Sequence, residues 1–155
     1  MINVRNILYA TDFSPFSNQA YFHAVALAES HGAVLTIAHV LAPGAVALPD
    51  VSPDERAYWR GQLEQIRPLN LDIPVRHVLL EGDPAEELLR HAANMRADLI
   101  VRGTHGRTGQ ERLLMGSVAE RVMRGAACSV LVVKMPKAAP VAEKSEAAET
   151  SLIPA

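Results

Sequence analysis

Four glycines, Gly103, Gly106, Gly109 and Gly116, fall close together in the stretch Arg102-Gly103-Thr104-His105-Gly106-Arg107-Thr108-Gly109-Gln110-Glu111-Arg112-Leu113-Leu114-Met115-Gly116-Ser117. Glycine lets backbone N–H groups approach an anion with no side chain in the way. Gly116-Ser117 then opens a helical pattern, whose first N–H groups have no partners within the helix and form a seat for phosphate. Ser117 could cap that helix, donate its hydroxyl to a phosphate oxygen, or do both. The chain contains no G-x-x-x-x-G-K-[ST], so this is not a Walker A loop. Nor is it the G-x-G-x-x-G of a dinucleotide fold, which would follow the first strand. The bland alternative is a loop that needs glycines only to turn.

Asp12 is the second candidate. Its plain reading is a turn-forming aspartate bonded to nearby backbone. Its functional reading is a carboxylate facing ribose hydroxyls, or a phosphate-bound magnesium and its waters. Arg107 and Arg112 could offset phosphate charge, because guanidinium presents several donors to phosphate oxygens; either reads equally as an exposed loop arginine, with function favoured at Arg107 and the plain loop reading at Arg112. His105 could pack or support a turn. Helical spacing brings no two of His23, His31, His39, His77, His91 and His105 together as a metal site. Tyr58 and Trp59 are read as packing residues, and Cys128 as a small, partly buried hydrophobe. No Ser-His-Asp or Cys-His set can be assembled.

The elements that must hold these residues follow from hydrophobic pattern. Asn6–Ala10, Ala33–Val40, Val75–Leu80, Asp98–Val101 and Val130–Val133 are short apolar runs that read as five strands. Most are continuously apolar, as for parallel strands covered on both faces. Helices are expected near residues 15–31, 53–67, 84–96 and 117–125, giving an α/β alternation. Ser14-Pro15, Ser52-Pro53 and Asp83-Pro84 each put a capping side chain before a proline suited to the first helical position. Glu55 and Glu86 follow their caps by three residues, and Gly32 and Gly125 are placed to end helices. Leu41–Ser52 reads as a loop. The stretch 136–155, rich in Ala, Glu, Lys and Pro, reads as a disordered tail behind a folded unit of residues 1–135.

The spacing Gly103-x2-Gly106-x9-Gly116-Ser117 resembles the G-2x-G-9x-G-(S/T) signature of the universal stress protein family. Ile7–Ser14, Gly82-Asp83-Pro84, Ala97–Val101 and Gly116–Val133 resemble that family's successive units, so the likeness covers residues 3–134. The resemblance implies a flavodoxin-like, single-domain three-layer sandwich with a five-stranded parallel sheet in the order 3-2-1-4-5. It further implies the ATP-binding branch, with ATP and Mg2+ as cofactors. By position, Ala10, Thr11 and Asp12 would meet the nucleotide from the first strand, and Val40 would contact adenine through its backbone. Gly103 would approach the ribose, while Gly106, Arg107, Gly116, Ser117 and Val118 would surround the phosphates. The family commonly pairs through its last strand, which implies a homodimer through Val130, Leu131, Val132 and Val133; strand 5 is an edge that must be covered or paired. Three positions depart from the family pattern: Arg102 stands where an apolar residue is usual, Gln110 for leucine, and Ser129 for proline. Arg102 offers a possible extra phosphate contact.

Composition limits the remaining choices. The 155 residues are 49% hydrophobic and 21% charged, enough for one core. Fifteen basic against seventeen acidic side chains give a net charge of −2, which disfavours nucleic acid as a partner. One cysteine excludes an internal disulfide. With no signal-like N-terminus and no run of about 18 apolar residues, a cytoplasmic protein without a membrane partner is expected. Three functional readings stand: an ATP-binding switch in stress response, a slow ATPase or adenylate-processing enzyme, and a nucleotide-independent dimeric interaction module.

Overall fold

The apolar runs become five strands of one parallel sheet in the computed structural model, which describes residues 2–43, 51–105 and 115–135. The strands are β1 (Asn6–Ala10), β2 (Val34–Leu41), β3 (Val75–Glu81), β4 (Leu99–Gly103) and β5 (Ser129–Val133). The helices are α1 (Pro15–His31), α2 (Pro53–Glu64), α3 (Pro84–Asn94) and α4 (Ser117–Gly125). Strand order is β3-β2-β1-β4-β5, the expected arrangement. Because β2 and β4 flank β1, successive crossovers leave β1 in opposite directions, and a crevice opens at its C-terminal end.

The two faces carry separate cores. Ala20, Ala24 and Ala28 of α1 and Leu63 of α2 pack with Ile7, Tyr9, Leu35, Ile37 and Val101. Ala85, Leu88 and Ala92 of α3 and Val122 of α4 pack on Leu8, Ala38 and Ile100. The alternation along β4, with Ile100 on one face and Val101 on the other, is the period-two geometry of a strand.

Helix starts follow their sequence chemistry. Ser14, Ser52 and Asp83 accept from the N–H groups of Ser17, Glu55 and Glu86 respectively, each with proline at the first helical position. Ends are less legible. Gly32 closes α1 at φ 63°, and the N–H of Ala33 bonds back to the Ala28 carbonyl, so β2 begins at Val34, one residue later than expected. Gly125 does not close α4 by a left-handed turn; it is the last helical residue, and a Cβ there would lie 2.7 Å from Leu89 Cδ1. Helix α2 stops at Glu64 rather than 67, with Gln65 as its C-cap and the Gln65 N–H turned to the Leu63 carbonyl; a proline at 68 disfavours helical geometry at Arg67. Helix α3 stops at Asn94, and Arg96 takes a positive φ of 54°. Strand β4 runs two residues beyond Val101, through Arg102 and Gly103, paired with Val132 and Val133. It also starts later, because Asp98 turns its carboxylate onto the N–H groups of Arg5 and Asn6 at 2.8 and 2.9 Å.

Expectations for part of the 41–52 loop, for Gly109, Gln110 and Arg112, and for the 136–155 tail lie outside the described residues.

Candidate functional site

A cleft of about 460 Å³ opens over the C-terminal ends of β1, β2 and β4. Ala10, Thr11, Asp12, Val40, Gly103, Gly116, Ser117 and Val118 all line it. Gly106 and Arg107, the other two candidates, lie outside the described residues. The fold thus gathers residues from four separate stretches of sequence.

The β1–α1 turn is held by a small polar network. Thr11 donates its N–H to the Ala38 carbonyl at 2.9 Å, and its Oγ1 accepts from the Phe13 N–H at 3.0 Å. Asp12 Oδ1 accepts from the Ser14 N–H and from Ser17 Oγ, both at 3.0 Å. The two readings of Asp12 therefore coexist: one oxygen builds the turn, and the residue faces the cleft. Phe13 pays for the turn with a left-handed φ of 63°, costly for a bulky residue, on the order of 1–3 kcal/mol. Its ring is clamped 4.8 Å from His39 and 5.2 Å from Trp59.

Glycine at 103 has a steric reason. A Cβ there would lie 2.7 Å from the Phe16 carbonyl oxygen and 2.8 Å from its carbon, so β4 and the first turn of α1 touch backbone to backbone. Gly116 is less constrained, a Cβ meeting the Thr104 carbonyl oxygen at 3.2 Å. Its N–H donates to that same oxygen at 2.7 Å, which ties α4 to the end of β4. Gly116, not Ser117, occupies the cap position of α4, which corrects the capping role considered for Ser117. Ser117 is the exposed first helical residue. Three helices in this chain carry a side-chain cap; α4, whose first residues line the cleft, has none from its cap residue. Its positive end faces the cleft.

Helix α3 is locked beside α4 by a forked ion pair. Asp83, while capping α3, takes Arg121 of α4 at 3.1 Å. The Arg121 guanidinium, and then the Glu86 N–H, hold the Asp83 carboxyl below the usual carboxylate range.

Several cleft residues were not among the site candidates. Trp59, read as packing, lines the wall with Glu55, one helical turn earlier on the same face of α2. That i, i+4 pairing was visible in sequence, but nothing indicated which way α2 would face. His39 is buried; a carbonyl can only accept, so its Nδ1–H donates to the Thr11 carbonyl, at 2.7 Å. His105 lines the cleft, with Nδ1 3.1 Å from Thr104 Oγ1 and its ring 5.4 Å from that of Phe16. Arg102 is only 8% exposed, yet it lines the cleft. Among the described residues, no group of three or more His, Cys, Asp or Glu side chains is arranged to hold a metal ion.

The family model for the universal stress protein family matches residues 3–134. The chain belongs to the universal stress protein family. A universal stress protein of Methanocaldococcus jannaschii, MJ0531, is 37% identical over 150 residues, covering 86% of this chain and 84% of the relative. The universal stress protein UspA from Lactobacillus plantarum superposes with a TM-score of 0.75 at 26% identity, covering 84% of this chain and 98% of that one. A universal stress protein from Archaeoglobus fulgidus, solved in complex with dAMP, shares the fold at a TM-score of 0.64 and 21% identity, covering 86% and 100% of the two chains. Within this universal stress protein, none of the described helices is long and apolar enough to cross a membrane.

Proposed function

We propose that the cleft binds an adenine nucleotide, ATP with Mg2+, and that occupancy acts as a switch for a cytoplasmic stress-response protein. The observation that carries this reading is the N-terminus of α4, whose cap residue Gly116 has no side chain to cap it, set in the same cleft as the Gly103 backbone and Asp12. Phosphate at α4 would accept from the helix's first N–H groups, and Ser117 would donate its hydroxyl. Gly106 and Arg107 would complete that end. The base would lie toward Val40, where Ala10, Leu88 and the Trp59 ring supply an apolar wall. Asp12 fits an ion held chiefly by phosphates and waters: it is a half-buried carboxylate on the cleft wall, with the exposed Glu55 as the other lining acid, and so few carboxylates suit Mg2+ that keeps its waters and phosphate ligands. When bound, the ion would offset phosphate charge. The dAMP complex of the Archaeoglobus fulgidus protein, which has the same fold, agrees with an adenine nucleotide in a cleft of this architecture.

A switch needs two states with different affinity for the nucleotide. The second state would involve the partner subunit. Strand β5 is a sheet edge, and Val130, Leu131 and Val132 on it are half-buried in the single chain. Pairing of two β5 edges about a two-fold axis would cover them.

Calorimetric titration of nucleotide-stripped protein with Mg-ATP, beside Gly116→Ala, tests the binding. Micromolar affinity in wild type, weakened in the variant, is expected; a folded wild type that takes no ATP overturns the reading. Sedimentation at micromolar concentration tests the dimer, and a monomer alone would remove it.

A further inference from the structure

Among the described residues, Arg102 is the one arginine that is buried, and it interrupts an otherwise uncharged strand, Leu99–Gly103. Two residues from Ile100, it lies on the face of β4 packed by α3 and α4. Its strand partner is Val132, and Val118 in the first turn of α4 shares the cleft wall with it. Nε donates to the carbonyl of the next residue, Gly103, at 3.1 Å. That bond bends the side chain along the strand toward its C-terminal end, where the cleft opens.

The charge is sparsely paired for a residue this buried, yet no buried side-chain nitrogen among the described residues lacks a partner, so the donors beyond Nε keep access to the cleft. A guanidinium has five N–H donors. Among the described residues it meets one carbonyl, and the only carboxylate acting on it is that of Asp12, whose Oδ1 already serves the β1–α1 turn. Burial is the main influence on the group and works against its charged form; Asp12 works the other way. The nearby end of α4 is itself positive. A buried cation beside a positive helix end is unfavourable unless an anion joins them.

We propose that Arg102 is a ligand-binding residue, donating charge-assisted hydrogen bonds to a phosphate group seated at the N-terminus of α4. The proposal rests on the nucleotide reading for its adenine part, but the phosphate part can be tested without it. Arg102 adds selectivity for the anionic portion of the ligand and leaves the nucleoside portion untouched. A planar, permanently charged fork suits phosphate oxygens, and its partial burial strengthens each bond.

The test uses nucleotide-stripped full-length protein, wild type and Arg102→Met, titrated calorimetrically with adenosine, ATP and inorganic tripolyphosphate. Met matches the unbranched stem and removes the charge. Expected are adenosine affinity within twofold of wild type and ATP and tripolyphosphate affinities lowered roughly 10- to 100-fold, the range for a hydrogen bond to a charged group. The apo variant should melt close to wild type, since replacing a buried, sparsely paired cation by an apolar side chain of similar length is often neutral or stabilising. If Arg102→Met does not fold, Arg102→Gln, close in size and without charge, is expected to show the same losses. Equal ATP and tripolyphosphate binding in wild type and variant overturns the proposal, as does an equal loss for adenosine and the phosphorylated ligands. Wild type that ignores ATP but binds tripolyphosphate through Arg102 would sink the adenine reading and leave this one standing. Wild type that binds neither would sink both.

Discussion

Substituting Gly103 and Gly116 separately by alanine distinguishes a glycine kept for packing from one kept for a ligand. At Gly103 the new Cβ would sit 2.7 Å from the Phe16 carbonyl oxygen and 2.8 Å from its carbon. Comfortable carbon contacts begin near about 3.5 Å, so the first turn of α1 must retreat by roughly 0.8 Å. It is not free to do so, because the neighbouring Ser17 carbonyl accepts from the buried Tyr9 hydroxyl at 2.6 Å. Such overpacking costs up to about 3 kcal/mol. Alanine also lowers the entropy of the unfolded chain, returning about 0.7 kcal/mol. The net is a loss of about 2 kcal/mol, or roughly 8 °C in Tm for a unit of this size. At Gly116 the closest approach is 3.2 Å, to the Thr104 oxygen, and φ of −72° with ψ of 160° is open to any residue. There the steric cost, under about 1 kcal/mol, is offset by the unfolded-state term, and Tm should stay within roughly 3 °C. Thermal unfolding of stripped protein, followed by circular dichroism, reads both. If Gly103→Ala melts within about 2 °C of wild type, the backbone contact does not constrain the fold as argued. If Gly116→Ala melts as low as Gly103→Ala, the two glycines cannot be separated into different roles.

Asp12→Ala deletes the acceptor for Ser14 and Ser17 and should cost about 2 kcal/mol, whereas Asp12→Asn keeps an oxygen there and should cost under about 1 kcal/mol. Denaturant unfolding of both variants checks this, and equal costs would refute the shared role of that oxygen. Tyr9, fully buried, has its phenol pushed up to about 12, chiefly by desolvation. A raised folded value means stability is fully present below the unfolded value near 10 and declines as pH rises toward 12, by about 3 kcal/mol. Melting between pH 9 and 12, with ultraviolet titration of the three tyrosines, should show Tyr9 ionising late and Tyr21, also raised by burial, delayed beside it; Tyr9 titrating near 10 would contradict the burial argument. Burial likewise pushes the half-buried Cys128 thiol up. Alkylation by iodoacetamide at pH 7.5 should be slower than for a free cysteine and should quicken above pH 9; immediate labelling would refute it.

Local chemistry in the sequence was enough for most of the architecture. Continuous apolar runs, three capped proline starts and Gly32 specify strands and helices because these signals act within a few residues. Family spacing then placed β1, the Gly116 helix end and Val40 around one cleft, in which Ala10, Thr11, Asp12, Gly103, Ser117 and Val118 also lie. Strand ends were less clear where charged and small residues interrupt the apolar pattern. Arg102 and Gly103 break the apolar run of β4, yet they remain in it because parallel pairing with β5 continues past the last apolar residue.

What the tertiary structure alone decided concerns facing and distance. Trp59 packs on Phe13 and His39, as read, and also forms a cleft wall because of how α2 lies against β2 and β3, a placement no local pattern encodes. Gly103 is required by the Phe16 backbone, eighty-seven positions away in sequence, a contact created only when α1 settles on β4. The identity of Arg102 was plain from sequence, but its burial and its sparse compensation were not. Charge is a property of the residue, whereas desolvation and the nearness of Asp12 and α4 arise only when distant segments pack together.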